Sequence, residues 1–172
     1  KDYDYYPCIN PYQRKKISEL HTVKNRSIVK IKGVRFEAVK SEHYGPTVGF
    51  VISSDKFRIG YMSDGRYYAG QENRYEGCDI LIMNVLVPKG LEPEEKKHMS
   101  VDEAIKLLRA MKKKPKLVIL QHFSLWMLRA NLWKQEKIIQ DATKVRTIHA
   151  EDFMSLDLAT LATSQYKKKA GM

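Results

Sequence analysis

The chain is poor in cysteine. Only Cys8 and Cys78 occur in 172 residues. Two lone thiols argue against a disulfide scaffold and lead us to expect a reducing cytoplasm. Nor is there an apolar run near the roughly 20 residues that a membrane helix needs. The longest, residues 80–87, is interrupted by Asn84. The sequence shows no signal-peptide pattern, internal repeat or Gly/Ser linker. Lys1 rather than Met stands first, which points to a processed or partial chain. Negative charge is also short, with 20 Asp+Glu against 31 Lys+Arg and a formal net charge of +11. Two lysine triplets, at 112–114 and 167–169, fit a solvated helix end and a tail. The sharper reading is attraction to a polyanion such as RNA. Against it, the sequence lacks the aromatic–basic interleaving of RNA-binding modules.

What is present is enough for one domain with a real core, since 43% of residues are hydrophobic. Residues 27–31 and 34–39 flank Lys32-Gly33, a hairpin signal. Residues 47–53 alternate, with Val48, Phe50 and Ile52 on one face. Ser54-Asp55-Lys56 is turn material, and residues 57–62 return as the partner strand. A hairpin folds its ends together, so His43 before it and Asp64 after it are expected to be neighbours. Imidazole beside carboxylate is transition-metal chemistry.

Further along, residues 66–76 read as a short helix ending at Gly77. Residues 78–86 and 116–120 are continuous apolar runs, the mark of strands covered on both faces. Between them Ser100-Val-Asp-Glu103 is a capping box opening an amphipathic helix that stops before Pro115. Residues 125–141 read as one long helix. Residues 145–150 and 153–158 read as a final strand pair. Residues 1–26 form an irregular lead-in with a helical turn or two within 12–23, and residues 159–172 a weakly ordered tail. The expected class is α/β, layered, with helices over sheet.

Of the five histidines, His21 and His149 read as structural. His43, His98 and His122 each sit at the boundary of an expected element, where ligand-bearing loops gather. His122 and Asp64 each end a different strand.

Three segments together resemble the metallo-β-lactamase fold hydrolases, in particular the archaeal and bacterial phosphodiesterase-like members. They are His43-Tyr-Gly-Pro-Thr-Val-Gly-Phe; Ile59-Gly-Tyr-Met-Ser-Asp64; and the set Asp79-Ile-Leu-Ile-Met-Asn, His98-Met-Ser-Val-Asp-Glu-Ala and Leu120-Gln-His122-Phe. The resemblance runs from about residue 27 to 158. It implies that His43 binds one metal, His122 a second, and Asp64 bridges them. It implies zinc, with manganese or iron as alternatives, in a two-metal site acting on a phosphodiester or related ester. His98 is implied as the catalytic residue that steadies the transition state or protonates the leaving group, and Ser63 as a group orienting Asp64. Gly65 stands where the family has Thr, a mild departure.

The family's His-x-His-x-Asp-His motif does not occur in this sequence. The chain therefore resembles the C-terminal half of an αββα sandwich, residues 1–172 forming that half. Its partner is expected to be the N-terminal half or a second chain, or else a homo-oligomer. Nucleic acid is a possible substrate, and a membrane is not expected. The competing expectation is a non-catalytic half-domain that pairs with another chain or binds nucleic acid. A half-sandwich would leave one sheet face bare, exposing either Val48, Phe50 and Ile52 or Leu81 and Met83.

Overall fold

The computed structural model describes residues 11–91 and 97–165. Cys8, the lysines at 167–169 and loop positions 92–96 lie outside them.

The chain runs α1 (Pro11–Lys16), β1 (Ile28–Ile31), β2 (Val34–Lys40), β3 (Val48–Ser53), β4 (Arg58–Met62), α2 (Gln71–Tyr75), β5 (Ile80–Asn84) and α3 (Val101–Ala110). Then follow β6 (Leu117–Gln121), α4 (Leu125–Arg129), α5 (Leu132–Thr143), β7 (Arg146–His149), β8 (Met154–Leu156) and β9 (Thr163–Gln165). The strands β1 to β7 lie side by side in chain order as one seven-stranded sheet. β1 to β4 are antiparallel, whereas β4 to β7 are parallel. The change follows from the connections. Short turns join the hairpins, while helix-bearing segments return the chain to start each parallel strand.

The helices cover one face. Val39, Val51, Met62, Leu81, Met83, Val118 and Leu120 from the strands meet Val101, Ala104, Leu107, Leu108 and Ile139 from the helices in one buried cluster. The capping box of α3 forms as read: Ser100 accepts from the Glu103 backbone, and Glu103 returns the bond. The opposite face carries Ile59, Ile80, Ile82, Leu117, Ile119 and Ile148, with Met154 and Leu156 packed over that end. Toward β3, Val48, Phe50 and Ile52 are half-buried. Leu81 and Met83 are fully buried under the helices, and neither of the two expected surfaces is bare.

Two sequence expectations are corrected. Residues 125–141 are not one helix. The chain breaks at Ala130–Asn131, where Asn131 takes a φ of +64° and caps α5 by accepting from the Lys134 backbone. The final strands do not pair with each other. β7 joins the main sheet beside β6, and β8 pairs with β9 instead. Part of the expected tail is thus a strand. Among the described residues no helix is long and apolar enough to cross a membrane.

Cys78 lies in the core, 2% exposed. Burial pushes its thiol up from 9.0 to about 11. The folded state therefore favours the neutral thiol. The stability this contributes is complete below pH 9 and is lost as pH rises toward 11. Iodoacetamide at pH 8, read by peptide mass mapping, is expected to leave Cys78 unmodified until urea unfolds the protein. Rapid modification of the folded state would contradict this burial.

Candidate metal centre

The carboxyl ends of the parallel strands converge at one edge of the sheet. Ligands gather at such edges in open α/β sheets. Asp64 follows β4, Asn84 ends β5, and His122 follows β6. Because β3 runs antiparallel to β4, the loop between β2 and β3 reaches the same edge and delivers His43. The two loops are stitched together: Arg66 N–H donates to the Glu42 carbonyl at 3.0 Å, and the Ser41 and Ser63 hydroxyls bond at 2.8 Å.

Gly65 makes this approach possible. Its φ is +153°, and an added Cβ would stand 3.0–3.2 Å from the Glu42 backbone and Ser41 Cβ. The exchange that looks mild in sequence is thus a tight steric fit here. Ser63, expected to orient Asp64, bonds Ser41 instead. Asn84 takes that place, its Nδ2 donating to Asp64 Oδ1 at 3.0 Å.

His98 arrives from the segment just before α3. That segment is tied to the end of β5: Leu86 N–H donates to the Met99 carbonyl at 3.0 Å, and Val101 N–H to the Val87 carbonyl at 2.9 Å. The Arg66 guanidinium binds the Glu103 carboxylate at 3.0 Å, joining the loop after Asp64 to the start of α3. His122 ends its strand in the left-handed region, with φ of +60°. The turn aims its ring back across the strand ends. Such backbone outliers concentrate at functional sites.

The outcome is a cluster. His43, Asp64 and His98 offer ligand atoms all within 4.8 Å of one another. The Nε2 atoms of His43 and His98 are 3.3 Å apart. His122 Nε2 lies 3.2 Å from Asp64 Oδ2. The expected trio was His43, Asp64 and His122; the trio brought together has His98 in place of His122, and His122 joins it through Asp64. The donor set fits a borderline-soft divalent ion. The 3.3 Å between the two imidazole nitrogens is a spacing that a hydrogen bond between the rings gives. His43, His98 and Asp64 are half-buried, so water and substrate have access.

The other histidines lie outside the cluster. His21 pairs with Glu19 at 3.0 Å. His149 is held by Glu136 through both its ring and its backbone, and Trp133 stands edge-on to it.

Against known proteins, a family model described as a beta-lactamase superfamily domain matches residues 5–123. An uncharacterized protein of Methanocaldococcus jannaschii is 25% identical over 158 residues, covering 91% of this chain and 57% of that protein. The metallo-beta-lactamase fold protein YhfI from Bacillus subtilis superposes with a TM-score of 0.65 at 16% identity, over 75% of this chain and 52% of that one. A diphosphatase from the PhnP family gives 0.57 at 16% identity, over 87% of this chain and 49% of that one. Human tRNase Z, short form, gives 0.56 at 18% identity, over 76% and 45%. The structural likenesses show the fold. The chain spans little more than half the length of the curated relative it matches.

Proposed function

Because this chain belongs to the beta-lactamase superfamily, we propose that it forms part of a metal-dependent hydrolase acting on a phosphodiester or related ester in a reducing cytoplasm. The observation that carries this reading is the meeting of His43, Asp64, His98 and His122 from four separate segments at one sheet edge. His43, Asp64 and His122 are assigned to hold zinc, with manganese or iron as alternatives. Such ions act as Lewis acids and bring the pKa of water toward neutrality. Asp64 lies between two groups of imidazoles, the arrangement for a carboxylate serving two neighbours. His98 is near enough to join the ligands, but we assign it the proton of the leaving group. It rides on a connecting segment beside His43, where a ring can meet substrate. The Lys97 ammonium lies over the Tyr44 ring next to these histidines, adding positive charge where an anionic ester would sit. The phosphodiester preference also draws on relatives named as a diphosphatase and a tRNase Z.

The chain spans 57% of its curated relative, and Val48, Phe50 and Ile52 are only half-buried; both support a second element in this reading. We assign it to another segment of the polypeptide, or to a second chain, carrying further ligands of the His-x-His-x-Asp-His type. The 172 residues alone are then expected to turn over slowly. The test assays bis(p-nitrophenyl) phosphate, p-nitrophenyl acetate and a chromogenic β-lactam with zinc or manganese, with and without a chain carrying that motif. Metal-dependent cleavage of the diester, raised by the added chain, is the expected result. Full two-metal occupancy and turnover by these residues alone would refute the need for a second half. No metal-dependent cleavage of any of the three substrates in any combination would refute the hydrolase.

A further inference from the structure

Asn84 and Gln121 are polar residues at the ends of two otherwise apolar strands. β5 and β6 pair in parallel with Asn84 directly opposite Gln121. Gln121 Nε2 donates to Asn84 Oδ1 at 2.8 Å, and Asn84 Nδ2 donates to Asp64 Oδ1 at 3.0 Å. Asn84 is 7% exposed. A buried amide is held where its bonds are satisfied, since leaving one unmade is costly.

We propose that this two-amide relay makes Asn84 and Gln121 positioning residues for the metal centre, fixing the rotamer of Asp64. The inference rests on the metal-centre reading above. An amide has one donor end and one acceptor end. Gln121 occupies the acceptor end of Asn84, so only the donor end can face Asp64. The Asp64 carboxylate therefore receives this bond through Oδ1. One oxygen is spoken for, and Oδ2 is left toward His122 at 3.2 Å. With the Asn84 amide reversed, a carbonyl oxygen would oppose the carboxylate. The group that sets the polarity is Gln121, whose side chain bonds Asn84 and none of the four cluster residues.

Gln121→Glu tests this with nearly the same shape. A carboxylate at 121 only accepts, so it draws the Asn84 NH₂ group toward itself and turns the Asn84 carbonyl onto Asp64. Added negative charge alone would tighten cation binding. The relay requires the opposite. Cobalt(II) affinity, read by competition with a chromogenic chelator, is expected to fall about 10-fold or more, within the range for groups that orient ligands. The d–d absorption of bound cobalt is expected to change with it. Gln121→Met leaves the Asn84 carbonyl without its donor and is expected to lose affinity by a smaller factor, about 3-fold, because Asn84 can keep its own donor on Asp64. Asn84→Leu removes the donor and is expected to match Gln121→Glu, which keeps the test decisive if either variant folds poorly. Metal-free thermal midpoints report folding separately. If the unaltered protein binds cobalt and Gln121→Glu binds it equally or more tightly with an unchanged spectrum, the relay is wrong. If the unaltered protein binds no cobalt, the metal-centre reading falls and the relay with it.

Discussion

Asp64→Asn is expected to weaken cobalt(II) binding by about 100-fold or more, about 2.7 kcal/mol, while leaving the metal-free protein folded. The substitution keeps what the fold uses and removes what the ion uses. Its amide oxygen still accepts from Asn84, at the 3.0 Å contact seen for Oδ1. Its NH₂ group stands where Oδ2 was and can donate to His122, 3.2 Å away. That group carries no lone pair to offer a cation. Asp64→Ala separates the two roles from the other side. It loses the metal and also leaves the Asn84 donor unpaired at a buried position, a further cost of about 1–3 kcal/mol. Isothermal titration and thermal melting together read both. Cobalt affinity in Asp64→Asn within a factor of three of the unaltered protein would remove Asp64 from the centre.

Gly49→Ala is expected to destabilise the fold by about 2–3 kcal/mol, the upper part of the range for overpacked cores. For a domain of this size that corresponds to roughly 4–12 °C in thermal midpoint. Gly49 lies on β3 facing the helices, opposite Val39. A Cβ there would come closer than 3.0 Å to the Tyr61 carbonyl oxygen and the Tyr75 hydroxyl. Tyr75 cannot simply step aside. It is 1% exposed, and its hydroxyl donates to that same carbonyl at 3.3 Å. Burial also raises the Tyr75 phenol well above its ordinary range, so it stays neutral. Trimming the hydroxyl with Tyr75→Phe is expected to recover part of the loss but not all, because the Tyr61 backbone remains in place. A midpoint unchanged by Gly49→Ala would show that β3 and α2 are looser than this packing implies.

The sequence disclosed the sheet where side-chain period and backbone chemistry agree. Val48, Phe50 and Ile52 alternate, and a turn follows at Ser54. Runs such as Leu117 to Leu120 need cover on both faces. Ser100 and Glu103 announce a helix start on their own. It failed where the outcome depends on distant neighbours. Trp126, Leu128 and Trp133 are large and apolar, yet all three are exposed. The break comes from a positive φ at Asn131, a backbone state without a strong sequence signal. The partner of β8 was equally hidden, since strand pairing is non-local.

The cluster was legible for a related reason. His43, Asp64 and His122 sit at element ends, and strand ends meet wherever strands pair. The group that holds Asp64 was misassigned to the adjacent Ser63. Orientation across a sheet depends on which strand lies alongside, and that strand is β5. The one available sign was Asn84 itself, a polar residue interrupting the longest apolar run.

The sheet's plain strand order has a kinetic consequence. Every strand from β2 to β7 pairs with the one made just before it. Among these seven strands none waits for a partner beyond the next connection, and closure entropy grows only slowly with the length of that connection. A chain emerging from the ribosome can therefore add β3 to β7 one at a time to the edge that β1 and β2 offer. The cluster assembles in the same order, with His43 and Asp64 brought together first and His122 added last.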